Sequence, residues 1–492
     1  MAKIIIFMFV LLITTACGTN DNAEITINRT PTLYPVSAVF SQVLDDALYR
    51  RQGLEMPGNE QILAVTTGRA ATTERHAFNW SAPRIPSTSR TSLIADVEFF
   101  FNFIQTHYGA YIYFGGDDAF IPVRDTIINM IQNEDIQCKY VAAYLLSYQL
   151  RSVINDIHFE IESHRIASPY HFYSSYRRFN RTDNRFYCAL SGLYIDSLRL
   201  ANAYLLPEVF RFSMDENGET FFYSMVIVQP HTNSPADYIH VLITYQNNAY
   251  EYVSLSLLNQ YNRGWVHNVD LSRENNIPVL TMWAMGNYLA PDDARFGGAE
   301  ALQFLSYADE LAGEPIIIVD LRGNGGGNAN LTFLWLYRFF GVHVPRNYLR
   351  IVSHPYHEYD ESLFDYGAVW EKLDNFHSIN IQPSYEFVLS DTLFILLIDR
   401  DTASSAEDFA NRLFSVENTL IIGQNSRGAL LTGSYSNWLF TPITGIRFVL
   451  GPWFNIFPDG HFREGVGFAP DIWVHGCALT AALGMIEHHL QR

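Results

Sequence analysis

The sequence predicts an α/β protein with a parallel sheet in its C-terminal half, an N-terminal helical region and a β-rich region between the two. From residue 277 onwards, fully apolar runs alternate with segments of helical periodicity. These runs are residues 277–283, 316–319, 393–398 and 420–422. Strands that are apolar on both faces are typical of a parallel sheet covered by helices on both sides. We therefore expect residues 277–492 to form the domain that carries this sheet.

Two amphipathic helices are predicted within residues 91–162, because apolar residues recur there at helical spacing. The two apolar faces consist of Ile94, Val97, Phe100, Phe101 and Ile104, and of Ala142, Leu145, Leu146, Leu150 and Val153. Residues 163–276 are rich in Tyr, Phe and Val in short alternating runs. This pattern predicts a β-rich domain.

The first seventeen residues have the pattern of an export signal. Lys3 precedes an apolar run over residues 4–13 that is too short to cross a bilayer as a helix, and small residues follow it. Residues 15–17 resemble the lipobox of bacterial lipoproteins, in which the cysteine becomes the lipidated first residue. We therefore expect Cys17 to be a lipid anchor that holds the protein at the cell envelope, with a secreted form as the alternative.

Composition gives two further predictions, one for the structure of residues 18–90 and one for the partners of the whole chain. Residues 18–90 are rich in Thr, Asn, Ser and Pro, which predicts a tether and linker. The chain carries 32 basic and 51 acidic residues and a formal charge of −19. Because nucleic-acid binding needs a basic face, this balance argues against a nucleic-acid partner.

Apart from Cys17, the chain has three cysteines, Cys138, Cys188 and Cys477. Three is an odd number, so at least one of them is unpaired. Their wide spacing fits neither a disulfide scaffold nor a metal site.

A glycine-rich segment follows the predicted strand at residues 316–319. Residues 320–328 read Asp-Leu-Arg-Gly-Asn-Gly-Gly-Gly-Asn. Glycine lets backbone N–H groups point into a cavity, where they can stabilise an oxyanion or cradle a phosphate. The spacing does not match the dinucleotide fingerprint or the Walker loop. A flexible turn that closes the strand is the structural alternative.

A second signal follows the predicted strand at residues 393–398. Ser404 and Glu407 have the spacing of a capping box at the start of an apolar helical pattern. Capping alone is a complete structural explanation of both residues. A serine at a strand-to-helix turn is also well placed for nucleophilic catalysis, because its oxygen is exposed at the sheet edge and the N–H of Ser405 lies at the positive end of the helix.

A third signal is the sequence Asn-Asp-Ile-His at residues 155–158, where the second predicted helix ends. The chain has 16 histidines, and most histidines are structural or surface groups. His158 taken alone is therefore a weak candidate for a catalytic residue.

Together these segments resemble the tail-specific, or C-terminal processing, serine peptidases. The similar segments, in chain order, are residues 320–327, 402–407, 420–423 and 459–472. Their order and spacing match the family over residues 277–474. The resemblance implies a ClpP/crotonase-like catalytic sheet with Ser404 as the nucleophile. It also implies an oxyanion hole formed by the backbone N–H groups of Gly325 or Gly326 and of Ser405.

Two kinds of site occur in this family, and they differ in the catalytic base. One kind uses a lysine, but Ala429 stands where that lysine is expected, and the nearby Arg427 cannot usefully lose a proton. The other kind resembles the tricorn protease core and takes a histidine from the helical region. Residues 156–159 are similar to that motif, so the resemblance implies His158 as the base. An ordinary histidine titrates near 6.5, which suits this task.

Tricorn-like sites add a glutamate that reaches the histidine through a small hydroxyl residue. By resemblance Glu464 has this role, but Ile157 occupies the place of the hydroxyl residue and cannot form the bond. Glu464 then has three possible functions: direct contact with His158, contact through water, or support of a loop.

The sequence therefore predicts an exported serine endopeptidase or carboxypeptidase-like protease that acts on peptide or protein substrates and requires no metal or organic cofactor. An inactive ligand-binding lipoprotein on the same fold, similar to the interphotoreceptor retinoid-binding modules, is the main alternative, and a carboxylesterase is a third. Since members of the family often carry a PDZ-like module, residues 163–276 are also interpreted as a degenerate one, although no glycine-rich carboxylate-binding loop is recognisable there.

Overall fold

The computed structural model describes residues 30–32, 35–54, 89–167, 170–201, 203–230, 235–258, 269–285, 298–352, 387–433 and 438–490. The predicted signal peptide and Cys17 lie outside these residues. The α-helices within them are α1 (Ala38–Gln52), α2 (Arg90–His107), α3 (Gly116–Asn133), α4 (Lys139–Leu150), α5 (Gly298–Glu310), α6 (Ala329–Phe340), α7 (Ser405–Leu413) and α8 (Ala478–His489). None of these helices has both the length and the apolar character needed to cross a membrane.

The strands of the described residues form one large mixed sheet and two small sheets. They are β1 (Glu160–Ile161), β2 (His164–Arg165), β3 (His171–Ser174), β4 (Phe179–Thr182), β5 (Arg185–Cys188), β6 (Ile195–Leu200), β7 (Ala203–Tyr204), β8 (Phe210–Met214), β9 (Phe221–Gln229), β10 (Tyr238–Tyr245), β11 (Tyr250–Leu257), β12 (Val269–Glu274), β13 (Ile277–Met282), β14 (Ile316–Asp320), β15 (Leu349–Val352), β16 (Leu393–Ile398), β17 (Thr419–Gly423), β18 (Leu439–Phe440), β19 (Arg447–Val449), β20 (Trp453–Ile456) and β21 (Ile472–Trp473). The large sheet has the order β12-β13-β14-β16-β17-β21-β8-β9-β3-β11-β10-β6-β7, with β4 and β5 beside β9.

The part of the large sheet from β13 to β21 is the parallel sheet that the sequence predicts. Strands β13, β14, β16, β17 and β21 are parallel to one another, and every residue of the first four is buried. On β14, Ile317 and Val319 face a core that includes α5, α6 and α7. Ile316 and Ile318 face the opposite core, which includes α1 and α8. The prediction of an α/β fold is confirmed.

Helix α1 corrects the interpretation of residues 18–90 as a tether and linker. Phe40, Leu44 and Ala47 recur at helical spacing and are buried in the core beneath the parallel sheet. The side chain of Arg51 is also buried and forms an ion pair with Asp471 at 3.1 Å. The polar average composition of the stretch concealed this short apolar face, so the linker interpretation is wrong for residues 38–52.

Two connections join the rest of the chain to the parallel sheet. Strand β8 of the β-rich region lies parallel to β21, with Ser213 opposite Trp473, so the β-rich strands continue the large sheet. Strand β1, which follows α4, pairs antiparallel with β19, with Glu160 opposite Val449. These pairings fix the end of the helical region against the C-terminal part of the chain. A PDZ-like origin of the β-rich region stays a prediction.

Candidate active site

Ser404 lies at the turn between β16 and α7 with an unusual backbone conformation. Its φ is 55° and its ψ is −117°, a combination that costs a residue with a Cβ about 1–3 kcal/mol and needs support from the surroundings. Two hydrogen bonds to the neighbouring glycine-rich segment supply such support. The N–H of Ala403 donates to the carbonyl of Asn324 at 2.8 Å, and the hydroxyl of Thr402 donates to the carbonyl of Leu321 at 2.9 Å. The turn is therefore attached to the adjacent strand end.

Glu407 holds the same turn from the side of the helix. Its carboxylate is fully buried and accepts hydrogen bonds from the backbone N–H groups of Ser404, Gly428 and Ala429 at 2.7–2.9 Å and from the hydroxyl of Ser426 at 2.6 Å. Burial raises the pKa of Glu407, while these donors oppose the increase. The residue that the sequence presents as a helix cap thus also joins the Ser404 turn to residues 426–429.

We expect Glu407→Gln to lower both the stability and the activity of the protein. A glutamine has only one acceptor oxygen, and its NH₂ group would face N–H donors, so buried donors would lose their partner at a cost of about 1–3 kcal/mol. Chemical denaturation measures the first effect and kcat the second. The control is Glu310→Gln, because Glu310 lies at the end of α5 and does not belong to this hydrogen-bond network. A Glu407→Gln variant as stable and active as the original chain would contradict this role.

His158 meets Ser404 although 246 residues separate them in the chain. Its Nε2 lies 3.0 Å from the Oγ of Ser404, which is hydrogen-bonding distance. The backbone N–H of His158 donates to Oδ1 of Asp156 at 2.8 Å, and Phe159 next to it is buried in the core of the helical region. The hydrogen bond to Asp156 and the burial of Phe159 thus fix His158 within the turn that follows α4.

Asp156 is the residue of this site that sequence analysis did not assign. It is completely buried, and besides the His158 N–H it accepts hydrogen bonds from the hydroxyl of Tyr108 at 2.8 Å and from the hydroxyl of Thr432 at 2.9 Å. These bonds connect α2, the His158 turn and the segment after residue 429. The Asp-x-His spacing was the available signal, because a side-chain oxygen commonly accepts from the N–H two residues further along.

Glu464 supports a loop and also reaches the histidine turn. Its Oε1 accepts from the backbone N–H of Ile157 at 3.0 Å, and its Oε2 accepts from the N–H of Leu431 at 2.9 Å. The main chain of Ile157 therefore makes the contact that its side chain cannot make. Burial, together with the negative charge of Asp156, raises the pKa of Glu464 well above its ordinary value. Of the three functions considered for Glu464, these contacts favour support of the loop.

The surroundings of His158 keep its imidazole neutral near pH 7. Burial lowers the pKa of the ring, and the positive charge of Arg165 adds to this effect, whereas Asp156 raises it. The net change is a decrease from 6.5. A neutral imidazole has one nitrogen lone pair, so the ring is in the protonation state that can accept a proton from Ser404.

The predicted oxyanion donors differ in what their N–H groups contact. The N–H of Gly326 donates to Oδ1 of Asn324 at 2.8 Å, which favours Gly325 over Gly326 as the oxyanion donor. Gly326 instead allows close packing, because a Cβ there would lie 2.8 Å from the Cβ of Ser404. Within the described part of the chain, no acceptor contacts the N–H of Gly325 or of Ser405. The side chain of Ser405 donates to the carbonyl of Gly327 at 2.6 Å.

The position at which the family's lysine is expected is occupied by a buried alanine. Ala429 is buried, and its N–H donates to Glu407 at 2.7 Å. The guanidinium of Arg427 forms an ion pair with Asp401 and donates a hydrogen bond to the carbonyl of Arg400. Its contacts are therefore with these two residues and do not replace those of the expected lysine. The ring nitrogen that the structure brings to hydrogen-bonding distance of the Oγ of Ser404 is the Nε2 of His158.

Comparison with known proteins gives one family match and several similar structures. Residues 294–474 match the model of peptidase family S41. A comparison with curated proteins gave no match. The match to the family model includes Ser404 and Glu464, and it leaves out His158.

Three of the solved structures that are similar to this chain are described next. The structure of mature CPAF is 12% identical with a TM-score of 0.41, covering 81% of this chain and 95% of that one. The photosystem II D1 C-terminal processing protease is 12% identical with a TM-score of 0.37, covering 81% and 97%. A putative S41 protease from Bacteroides fragilis is 12% identical with a TM-score of 0.32, covering 69% and 90%.

Proposed function

The chain is a serine-type peptidase of family S41, and on this basis we propose that it hydrolyses peptide bonds with Ser404 as the nucleophile and His158 as the general base. The observation that carries the proposal is the distance of 3.0 Å between the Oγ of Ser404 and the Nε2 of His158. A nucleophile within hydrogen-bonding distance of a base is the geometric requirement for this type of catalysis.

The reaction proceeds in two halves. Ser404 Oγ attacks the peptide carbonyl while His158 Nε2 takes its proton, which gives a tetrahedral intermediate and an imidazolium. The C–N bond then breaks, and the imidazolium gives its proton to the leaving amine, so that an acyl ester remains on Ser404. In the second half water attacks this ester and gives a proton to His158. Collapse returns that proton to Ser404 and releases the carboxylate product.

The N–H groups of Ser405 and Gly325 are the proposed donors to the oxyanion. The N–H of Ser405 is at the N-terminus of α7, where the helix dipole favours negative charge. No atom of the described residues lies within 4 Å of the place that a Cβ of Gly325 would take, which lets a substrate approach its backbone closely. Two donors at these places would stabilise the tetrahedral intermediate more than the planar substrate, which lowers the barrier.

Asp156 and Glu464 act as positioning residues in this proposal. Both accept a backbone N–H of the turn that carries His158, and Asp156 also contacts α2 through Tyr108. Because an error of about 1 Å in the placement of a catalytic group can cost 10²-fold in rate, such fixation contributes to catalysis without contact with the substrate.

The proposal is tested by labelling with a fluorophosphonate, which forms a covalent bond to an activated serine. We expect one label per chain, and peptide mapping should locate it at Ser404. A panel of peptides and simple esters then distinguishes a peptidase from an esterase. A chain that is folded but takes up no label and cleaves neither substrate class would favour the alternative of a ligand-binding protein.

The pH dependence of kcat/KM provides a second test. Since the pKa of His158 is lowered by burial, its neutral form persists below pH 6.5, and activity should be lost only as the pH falls through this lowered value. We expect the acidic limb of the profile below pH 6.5.

The control for this profile is Cys477→Ser. Burial alone would raise the pKa of this thiol, but hydrogen bonds from Thr480 and Arg322 lower it to about 7. If the thiol caused the limb, the limb would lie near pH 7 and disappear in Cys477→Ser. An acidic limb above pH 6.5 that persists in this variant would contradict the assigned environment of His158.

We further propose that the enzyme is exported and anchored by a lipid on Cys17. The support for this is the sequence pattern of residues 1–17, with its single lysine, short apolar run and lipobox-like end. We expect the mature chain to begin at Cys17, to incorporate a labelled fatty acid and to fractionate with membranes. Cys17→Ser should lose the label and Cys138→Ser should keep it. Release of an unlabelled, cleaved chain into the medium would instead support the secreted form.

A further inference from the structure

Three potential metal ligands converge at His158. Asp156, His158 and Glu464 each offer one ligand atom, and these atoms lie within 4.8 Å of one another. The side chain of Asp156 is fully buried, and Glu464 is 5% exposed. A nitrogen and two carboxylate oxygens in such proximity are a donor set typical of transition-metal sites.

Among the described residues, the second nitrogen of the His158 ring has no hydrogen-bond partner. Nε2 faces Ser404, whereas Nδ1 is buried and contacts no hydrogen-bonding group in the part of the chain that is described. Asp156 accepts the backbone N–H of the same residue, so its carboxylate lies close to His158. A buried ring nitrogen without a partner is costly, and it indicates a ligand that completes its surroundings.

The two carboxylates also favour a cation between them. Asp156 and Glu464 place two buried carboxyl groups with ligand atoms within 4.8 Å of each other, and two carboxylates that close repel. The donors that contact the two groups are backbone N–H groups and the hydroxyls of Tyr108 and Thr432, none of which carries a full positive charge. A divalent cation at this place would relieve the repulsion and would satisfy Nδ1 at the same time.

We propose that Asp156, Nδ1 of His158 and Glu464 form a zinc site that switches the enzyme off reversibly. Zinc accepts imidazole and carboxylate ligands in tetrahedral geometry, whereas Mg²⁺ and Ca²⁺ prefer sites made only of oxygen. With zinc–ligand distances of about 2.0–2.2 Å, the ligand atoms of a tetrahedral site lie roughly 3.4 Å apart, so the three side chains close slightly around the ion. Water supplies the fourth ligand.

The inhibition follows from the tautomer of the ring. A neutral imidazole has one N–H and one lone pair, and zinc on Nδ1 uses that lone pair. The ring proton is then on Nε2, which faces Ser404 and can no longer accept the proton of the hydroxyl. Removal of zinc restores the lone pair on Nε2. This inhibition rests on the proposed function of His158, whereas the binding of zinc does not.

Zinc binding is measured first, by calorimetry on the full chain carrying Ser404→Ala, which has no activity to interfere. We expect one zinc site per chain, no binding of Mg²⁺, and an affinity at least about tenfold lower when Glu464→Gln is added. His158→Gln, added in place of Glu464→Gln, removes the nitrogen ligand and leaves both carboxylates, and it should weaken zinc binding as well. Circular dichroism establishes that each variant is folded.

Matched controls are His164→Asn and Cys477→Ser, which remove an exposed histidine and an exposed thiol outside the cluster. Both should bind zinc like the parent. Zinc binding that is absent, or that is unchanged in folded Glu464→Gln and His158→Gln, overturns the proposal, and so does binding that is lost in Cys477→Ser.

Inhibition is measured second, on the chain with Ser404 intact. We expect zinc to slow fluorophosphonate labelling and peptide cleavage, and EDTA to restore both. If zinc binds with the predicted dependence on Glu464 but the metal-free chain neither labels nor cleaves, the site stands and the proposed function fails. If the chain is active and tightly bound zinc leaves its rate unchanged, the inhibitory role is overturned.

Discussion

Ser404→Ala should abolish peptide hydrolysis, with a loss in kcat on the order of 10⁵–10⁶-fold. Removal of the hydroxyl removes the atom that forms the acyl ester, and neither the oxyanion donors nor His158 can replace it. The measurement is steady-state cleavage of a peptide substrate together with fluorophosphonate labelling, which should disappear. Because an alanine keeps a Cβ at this strained position, we expect little change in stability.

The matched control for this variant is Ser405→Ala, one residue along the same turn. Its hydroxyl donates to the carbonyl of Gly327, and the variant keeps the backbone N–H that is proposed to contact the oxyanion. We expect Ser405→Ala to keep most of the labelling. A Ser404→Ala chain that still labels, or a Ser405→Ala chain that alone loses the label, would show that the nucleophile has been assigned to the wrong serine.

His158→Ala should have an effect on kcat comparable to that of Ser404→Ala, because residues that act as a unit in catalysis cost similar amounts when removed singly. Without the imidazole, no group of the described residues lies within hydrogen-bonding distance of the Ser404 hydroxyl and can take its proton near neutral pH. Burst-phase kinetics with an activated ester measures acylation directly. His164→Ala removes an exposed histidine on β2 and should leave acylation unchanged.

A second variant distinguishes the two kinds of site known in this family. Ala429→Lys, added to His158→Ala, places a lysine where the other kind has its base. Ala429 is buried and its N–H is bound to Glu407, so a longer side chain has no space without rearrangement. We therefore expect no recovery of activity. Substantial recovery would mean that the site can use a lysine as its base and that histidine is not the one residue able to fill this role.

The prediction of the fold succeeded where sequence patterns reflect burial on both faces. Strands β13, β14, β16 and β17 consist mostly of apolar residues because each lies between two layers of helices. Helix α1 escaped prediction because its apolar face is short and lies in a polar stretch, so local composition outweighed its periodicity. Its burial depends on the sheet that it covers, a partner more than two hundred residues away.

The same contrast holds at the site. Ser404 was recognisable because a capping pattern directly after a buried strand is a local feature, and its resemblance to a nucleophile motif is local as well. Asp156 and Glu407 had local signals in the Asp-x-His spacing and the capping pattern, but their hydrogen bonds to Thr432 and Gly428 join distant segments and could not be predicted. The choice between Gly325 and Gly326 stayed open for a related reason, since only the folded chain shows that Asn324 accepts the N–H of Gly326.

The sequence by itself determined which residue types stand where: apolar strands, a serine before a helix, a glycine-rich strand end, and a histidine at the end of a helical region. The tertiary structure alone decided that Ser404 and His158 meet at 3.0 Å and that buried carboxylates hold the turns that carry them. The physical reason is the separation along the chain over which each kind of interaction acts. Backbone propensity and burial periodicity act over a few residues, whereas hydrogen bonds across hundreds of residues form only after the layers have packed.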